Sequence, residues 1–323
     1  MKSFPVIPAS FFGCILGVAG LGNGWRVAAR LWSLPSTVGE VILLIGVVIW
    51  CLLIALYLGK WIWLRQEAMA ELRHPVLCCF IGLVPLTAVL VAMAVGPYAH
   101  GVALGLFTLG AAGQLAFGLF RIGQLWQGGR DENATTPVLF LPSVAGSFIT
   151  SIGASALGAK GIAPMFFGAG LFSWLAIESV ILHRLLMAEM MPKPLRLTLG
   201  IQLAPPVVGC IAYLGITSGL PDLFAQFLVG YGLFELALLL RLGGWFREQP
   251  FGAGYWAFSF GVTALAISLM RMADRGMETP YPTLALLSFV FSNVFIAWLS
   301  ISSLVAIARG SYVPARLAPV APA

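Results

Sequence analysis

The sequence predicts an all-α integral membrane protein, and three observations support this fold class. Of the 323 residues, 60% are hydrophobic and only 9% are charged, whereas soluble domains carry about 25% charged residues. The mean hydropathy is +0.96. No polar block is long enough to form a soluble domain, so we expect one transmembrane domain over residues 1–323, with short cytoplasmic tails at about 1–8 and 309–323.

Ten apolar stretches are long enough to cross a bilayer, which takes roughly 20 helical residues. In chain order they cover residues 9–31, 38–59, 75–95, 101–124, 137–157, 163–187, 195–216, 220–242, 254–272 and 281–308. The first stretch follows Lys2 as a signal peptide would, but it is rich in glycine and has no evident cleavage site, so we interpret it as the first span. The connection 60–74 pairs Trp61 and Trp63 with charged residues, which is typical of an interfacial segment.

The basic residues divide unequally between the two sides of these spans. Thirteen of the eighteen Lys and Arg residues fall at the termini or in the connections after even-numbered spans. The remaining five are Arg26, Arg30, Lys160, Arg271 and Arg275. The positive-inside rule therefore predicts that both termini are cytoplasmic. Because the net charge of +6 is spread along the connections, it does not indicate a nucleic-acid partner.

An internal repeat appears when the odd-numbered spans are aligned on their helix breakers. Each contains an apolar residue directly before a glycine or proline: Phe12-Gly13, Val84-Pro85, Leu141-Pro142, Ala204-Pro205 and Phe260-Gly261. Successive breakers are 56 to 72 residues apart, which is the length of one helical hairpin with its connection. The ten spans are therefore expected to form five hairpins.

The breakers also predict which spans face inward. Proline inside a spanning helix removes a backbone hydrogen bond, and the freed groups need a partner in protein or in a water-filled cavity. We therefore expect the odd helices to surround a central pore and the even helices, rich in Leu, Ile, Val and Phe, to lie outside. The alternative is that these glycines and prolines serve only helix packing, since both residue types are common in membrane helices. We interpret Gly17, Gly20 and Gly24 in that way.

Seven strings carry a resemblance to a known family. They are PASFFGCILG (8–17), LRHPVL (72–77), ATTPVLFLPSVA (134–145), GAGLFSWLAIESVIL (168–182), LGIQLAP (199–205), GYGLFELALLLRL (230–242) and YWAFSFGVTALA (255–266). Together they resemble the bacterial tellurite-resistance protein A / C4-dicarboxylate transporter family, which includes the slow anion channels of plant guard cells. The resemblance covers nearly the whole chain and implies a homotrimer in the bacterial inner membrane, with a separate pore in each protomer.

The resemblance also implies that a phenylalanine of span nine blocks the pore near mid-membrane, with a small residue of span one beside it. The matching positions are Phe260 and Gly13. Phe258 is about 200° away around the helix, and we prefer Phe260 because it precedes the breaker, as in the other repeats. The expected lining near this gate comprises Gly13, Val84, Pro85, Leu141, Pro142, Ala204, Pro205 and Gly261.

The resulting hypothesis is an anion channel or channel-like transporter, and the resemblance implies chloride, nitrate or tellurite as the permeant anion. The odd spans are nearly free of acidic residues, so little there repels an anion. Arg73, Arg196 and Arg247 are candidate charges at the cytoplasmic mouth, although positive-inside topology also explains them. The alternatives are a secondary transporter or exporter for tellurite or C4-dicarboxylates, with or without proton coupling, and a membrane scaffold without transport.

Glu178, Glu235 and Arg121 are ionisable residues that lie within apolar stretches. Such residues are functional candidates in a membrane, but these lie on even helices near their cytoplasmic ends. We expect structural ion pairs or hydrogen bonds, with proton coupling through either glutamate as the alternative. The three histidines are far apart, and no hydrolase or metalloprotease string occurs. We therefore expect no enzyme activity, metal site or cofactor.

Overall fold

The computed structural model describes residues 5–313, in which all regular secondary structure is helical. The thirteen α-helices in this range are α1 (Gly13–Trp32), α2 (Ser36–Trp63), α3 (Arg65–Arg73), α4 (Leu83–Val95), α5 (His100–Trp126), α6 (Gly146–Ala156), α7 (Ala163–Met187), α8 (Lys193–Arg196), α9 (Ala204–Ile216), α10 (Leu223–Arg241), α11 (Gly243–Phe246), α12 (Ser259–Asp274) and α13 (Tyr281–Ala308). Lys2 and Arg316, which contribute to the predicted topology, lie outside the described residues, as do parts of both predicted tails.

Nine helical segments between residues 5 and 313 are long and apolar enough to cross a membrane. They correspond to the second through tenth predicted spans, so the multi-pass helical fold class is confirmed. The segment from Ala9 to Trp32 is not among the nine, since its glycines, Asn23 and two arginines lower its hydropathy. It nevertheless packs along α2 and α12. The count of ten spans stays a prediction.

Burial alternates along the chain. We call Ala9–Trp32, Leu77–Val95, Pro137–Ala156, Lys193–Ile216 and Ala253–Asp274 the inner segments, and α2, α5, α7, α10 and α13 the outer helices. The most apolar windows of the last four inner segments are 67–83% buried, whereas those of the outer helices are 22–33% buried. Apolar side chains remain exposed on the outer helices, as a lipid environment allows. This alternation agrees with odd helices inside and even helices outside.

The helices of the inner segments form a closed ring. Their contacts run from α1 to α4, α6, α9 and α12, and from α12 back to α1. Glycine permits the close contact between α1 and α12. A Cβ added at Gly17 would lie 2.6 Å from the Cβ of Ser259, and one at Gly20 would lie 2.9 Å from the Cβ of Thr263. Side chains at these positions would force the helices apart, so these two glycines are packing residues.

Each inner segment changes its helix type at or near the predicted breaker. In four of them a 3-10 helix directly precedes the longer α-helix, which then starts at Gly13, Leu83, Ala204 or Ser259. The third contains a π-helix, Leu141–Ala145, that begins at its breaker. The breakers therefore lie at or near junctions between two helix types. A proline near a helix start costs little, since the first N–H groups lack partners within the helix.

The outer helices supply partners for backbone groups at these junctions. The buried Gln114 side chain of α5 donates from Nε2 to the carbonyl oxygens of Leu141 and Pro142, at 3.0 and 3.1 Å. A Cβ added at Gly118 would lie 2.7 Å from the same Pro142 oxygen, which shows how closely α5 approaches. The freed carbonyls thus find their partner in protein, as membrane burial requires.

Candidate functional site

Two cavities lie among the inner segments. The first has a volume of 210 Å³ and is lined by the amino-terminal parts of all five inner segments. Its aromatic lining residues are Phe80, Phe140, Phe148, Trp256 and Phe260. Its polar lining residues are Ser10 and Thr198. A cavity with this lining offers an ion few hydrogen-bonding groups and is prone to lose water.

The second cavity lies among the carboxyl-terminal parts of the inner segments and has a volume of 440 Å³. Its polar and charged lining residues are Asn23, Arg26, Arg30, His100 and Arg271. Among the described residues, no aspartate or glutamate contributes to its lining. The two cavities therefore differ in character, one apolar and the other basic.

Phe260 lines both cavities, and no other described residue does. It is the second residue of α12, and α12 directly follows the 3-10 helix Ala253–Phe258. Phe260 is 8% exposed. Its carbonyl oxygen accepts a hydrogen bond from Thr263 Oγ1 at 3.1 Å. The side chain thus stands where the apolar and basic cavities meet. Its function as a gate stays a prediction.

Phe258 faces a different part of the molecule. Its ring packs edge-on against Phe246, with 5.1 Å between centroids. A Cβ added at Gly200 would lie 2.6 Å from Phe258 Cγ. Phe258 also lines a groove bordered by α10 and α13. This orientation agrees with the preference for Phe260, because the two rings point in different directions.

The other residues predicted near the gate divide into two groups. Gly13, Leu141, Ala204 and Pro205 line the first cavity. Val84, Pro85, Pro142 and Gly261 line neither cavity.

The second group faces neighbouring helices. A Cβ at Gly113 would lie 3.0 Å from Pro85 Cβ, and one at Gly261 would lie 2.8 Å from Leu203 Cβ. Successive helical residues point about 100° apart, so the two residues of one breaker pair need not share a cavity.

The three predicted mouth arginines do not line either cavity. Arg196 is buried and donates from Nη1 to Glu248 Oε2 at 2.7 Å, with its guanidinium 4.4 Å from the Trp245 ring. This hydrogen bond holds the pKa of Glu248 below its ordinary value. Arg247 is exposed and donates to the Gly243 carbonyl at 3.3 Å. Arg73 is exposed at the end of α3.

The two predicted glutamates of the outer helices are both buried, and Glu178 accepts hydrogen bonds from three side chains. Glu178 accepts from Trp174 Nε1 at 3.1 Å, from Gln202 Nε2 at 2.9 Å and from the Tyr231 hydroxyl at 3.0 Å. Glu235 is also buried, at 4% exposure. These bonds join α7 and α10 to the fourth inner segment, which agrees with a structural function. Arg121 similarly donates to the Pro75 carbonyl at 3.1 Å.

Sequence reasoning missed a buried ion pair at the start of the first inner segment. Lys60 Nζ lies 2.6 Å from Glu71 Oε2, and the two side chains are 0% and 1% exposed. The Tyr57 hydroxyl donates to the same oxygen at 3.2 Å, and the Ala9 N–H donates to Glu71 Oε1 at 2.7 Å. The charges in the connection 60–74 resembled an interfacial segment, so the sequence offered only the proximity of a lysine and a glutamate.

His74 was also missed as the cap of the second inner segment. The backbone N–H groups of Val76 and Leu77 each donate to its Nδ1 at 3.1 Å. Both of these residues line the first cavity. Burial lowers the pKa of His74, and the nearby Glu71 opposes that effect. The neutral ring therefore fixes one edge of the cavity.

This architecture, a helical multi-pass membrane protein with two cavities inside a ring of inner segments, is that of a channel or transporter. The profile of a family described as SLAC1, voltage-dependent anion channel, matches residues 6–307. The chain belongs to this family, and the resemblance seen in its sequence is confirmed. The family is one of anion channels and transporters, not of enzymes.

Three relatives illustrate the range of similarity. A tellurite resistance protein TehA homolog of Haemophilus influenzae is 35% identical over 312 residues, covering 96% of this chain and 94% of the relative. The guard cell S-type anion channel SLAC1 of Arabidopsis thaliana is 24% identical over 313 residues, covering 92% and 55%. The S-type anion channel SLAH2 of the same plant is 25% identical over 292 residues, covering 85% and 54%. The chain thus spans about half the length of the two plant relatives.

Proposed function

We propose that the chain is an anion channel in which each protomer has its own pore, closed by Phe260. One observation carries this proposal: Phe260 lines both the apolar and the basic cavity. A path along the ring axis from one cavity to the other has to pass its side chain. Membership of an anion channel family supports the same conclusion.

The closed state follows from the size and polarity of the phenyl ring. An apolar side chain at a constriction blocks an ion sterically and also removes the water that would hydrate it. Opening requires the ring to rotate away or α12 to shift. The first cavity leaves room at Gly13, because a Cβ added there would have Trp256 Cβ as its nearest neighbour, 3.9 Å away.

The linings favour anions over cations. Neither contains a carboxylate, so the described residues provide no negative side chain along this path to hold a cation. The arginines of the second cavity raise the local concentration of anions. Chloride and nitrate are the permeants that we propose, and the tellurite resistance relative adds tellurite as a third anion to test.

We further propose a homotrimer in the bacterial inner membrane with both termini in the cytoplasm. The unequal distribution of basic residues supports the orientation. The first cavity would then face the cytoplasm, and the second would face the opposite side.

A second candidate function is a secondary transporter or exporter for tellurite or C4-dicarboxylates, with proton coupling as one variant. The observation in its favour is the pair of buried carboxyl groups at Glu178 and Glu235, since acidic residues serve as proton relays in membrane transporters. Neither residue lines a cavity, which favours the channel.

Recordings from purified protein in planar bilayers distinguish these functions. Unitary anion currents that increase in Phe260→Ala support the channel. Saturable flux without unitary current, driven by a pH gradient and uncoupled from it in Glu178→Gln or Glu235→Gln, would establish the transporter instead. Absence of anion current and flux from both wild type and Phe260→Ala would overturn the proposed function.

A further inference from the structure

Three of the five basic residues on the side predicted to carry fewer positive charges line one cavity. Arg26, Arg30 and Arg271 line the second cavity, and the side chain of Arg275 donates to the Leu214 carbonyl of α9. The positive-inside rule explains basic residues on the opposite side of the membrane. It does not explain why these arginines surround a cavity.

Of these four arginines, Arg26 and Arg275 have structural partners that account for their positions. Arg26 donates from Nε and Nη2 to the two carboxylate oxygens of Glu40, both at 2.7 Å. It also donates to the carbonyls of Met93 and Ala94, at 3.1 and 3.0 Å. These bonds fasten the ends of α1, α2 and α4 together. Arg275 likewise fastens the end of α12 to α9.

Arg30 and Arg271 are different, because neither side chain makes a hydrogen bond or ion pair with another described residue. Arg271 is half-buried and Arg30 is exposed, and both line the cavity with Arg26 and with no carboxylate from a described residue. Placing like charges together at a partly buried site is unfavourable. A bound anion would relieve this repulsion.

We propose that Arg30 and Arg271 form a binding site for a small monovalent anion, a halide or nitrate, in the second cavity. Guanidinium groups suit this ligand because they stay charged and present several N–H donors. The exposed His100 and the half-buried Asn23 complete the polar wall. The volume of 440 Å³ lets the anion keep part of its water.

The site rests on the proposed pore, because its cavity is one of the two that Phe260 borders. It adds a mechanism for anion selection at a defined position. Anions would accumulate beside Arg30 and Arg271 before reaching the apolar constriction, and cations would be repelled there. Selection would therefore take place in the basic cavity, and the ring of Phe260 would control passage only.

Currents in the Phe260→Ala background test this site. Arg30→Gln and Arg271→Gln should each reduce the chloride current about tenfold at low ionic strength. The reduction should disappear near 1 M salt, where the Debye length is about 3 Å. Arg65→Gln is the matched control, since it removes the same charge from an exposed position on α3 and should conduct as its parent does. Equal currents from all three variants at low ionic strength would overturn the site.

A binding measurement on the closed wild-type protein separates failure of the site from failure of the channel. Chloride and nitrate should raise the melting temperature of purified wild type relative to gluconate at the same ionic strength. Arg271→Gln should lose this increase, and Arg65→Gln should keep it. Loss in Arg271→Gln alone would support the site even if Phe260→Ala carried no current. Equal increases in wild type and Arg271→Gln would refute the site even if the channel conducts.

Discussion

Replacing Phe260 by alanine should open a continuous path between the apolar and basic cavities. The substitution removes the ring of the one described residue that lines both and leaves the helix backbone unchanged. The cavities of 210 and 440 Å³ would then join directly. Water could fill the constriction, and the protein would conduct anions without a gating signal.

The burial of Phe260 sets the size of the expected increase in anion current. The residue is 8% exposed, and burying a phenylalanine side chain contributes about 1.5–3 kcal/mol. Moving the ring out of its site to open the wild-type pore loses most of this contribution. Since about 1.4 kcal/mol corresponds to a factor of ten, the open state should be about 10–100 times rarer than the closed state. The macroscopic anion current of Phe260→Ala should therefore exceed that of wild type by about 10–100-fold.

Planar bilayers containing equal amounts of purified protein provide the assay. Phe258→Ala is the matched control, because its ring packs on Phe246 outside both cavities. Size-exclusion profiles should first show that both variants are folded. Phe260→Leu should give an intermediate current, since its side chain is smaller but still apolar. The reasoning would be refuted if Phe260→Ala conducted like wild type, or if Phe258→Ala raised the current by the same factor.

Three further predictions concern the surroundings of the gate. Gly13→Val should fold, since the nearest atom to an added Cβ is Trp256 Cβ at 3.9 Å, but it should reduce the current of the alanine gate variant severalfold by narrowing the first cavity. Glu71→Gln should lower the free energy of unfolding by about 3–5 kcal/mol, because Lys60 would remain buried without its counter-ion, and chemical denaturation in detergent measures this. His74 has a lowered pKa, so its stabilising contribution is present above the ordinary value of 6.5 and is lost as pH falls through the lowered value. His74→Asn should reduce the acid-dependent decrease in melting temperature between about pH 8 and pH 5.

Each of these predictions has a contrary outcome. If Gly13→Val did not reduce the current of the Phe260→Ala variant, Gly13 would lie away from the conduction path. A change below about 1 kcal/mol in Glu71→Gln would be typical of an exposed pair and would contradict the buried geometry. Identical pH profiles for wild type and His74→Asn would show that the cap does not titrate in this range.

The positions of the helix junctions could be predicted from sequence because they depend on local backbone chemistry. Glycine and proline alter the backbone wherever they occur, so the five breaker pairs locate the changes of helix type within a few residues. The orientation of each pair could not be predicted, because helix rotation is set by neighbouring helices. Gly13 therefore faces a cavity, whereas Gly261 packs against Leu203.

The arginines show a second limit of sequence reasoning. A basic residue at a pore mouth and one that only reports membrane topology produce the same sequence signal. Arg196 matched both interpretations, and its contacts with Glu248 and Trp245 are visible only in three dimensions. Arg30 and Arg271 belonged to the smaller charge group, and their position beside a cavity depends on bringing α1 and α12 together.

The 3-10 helices of the inner segments also define how far these segments can shorten or turn. A 3-10 helix rises about 2.0 Å and turns about 120° per residue, compared with about 1.5 Å and 100° in an α-helix. Ala253–Phe258 has 6 residues. Conversion of this segment to α-helix would shorten it by about 3 Å and rotate its two ends by about 120° relative to each other. A screw motion of this size, directly before α12, would move the ring of Phe260 relative to the two cavities that it lines, while α12 keeps its own hydrogen bonds.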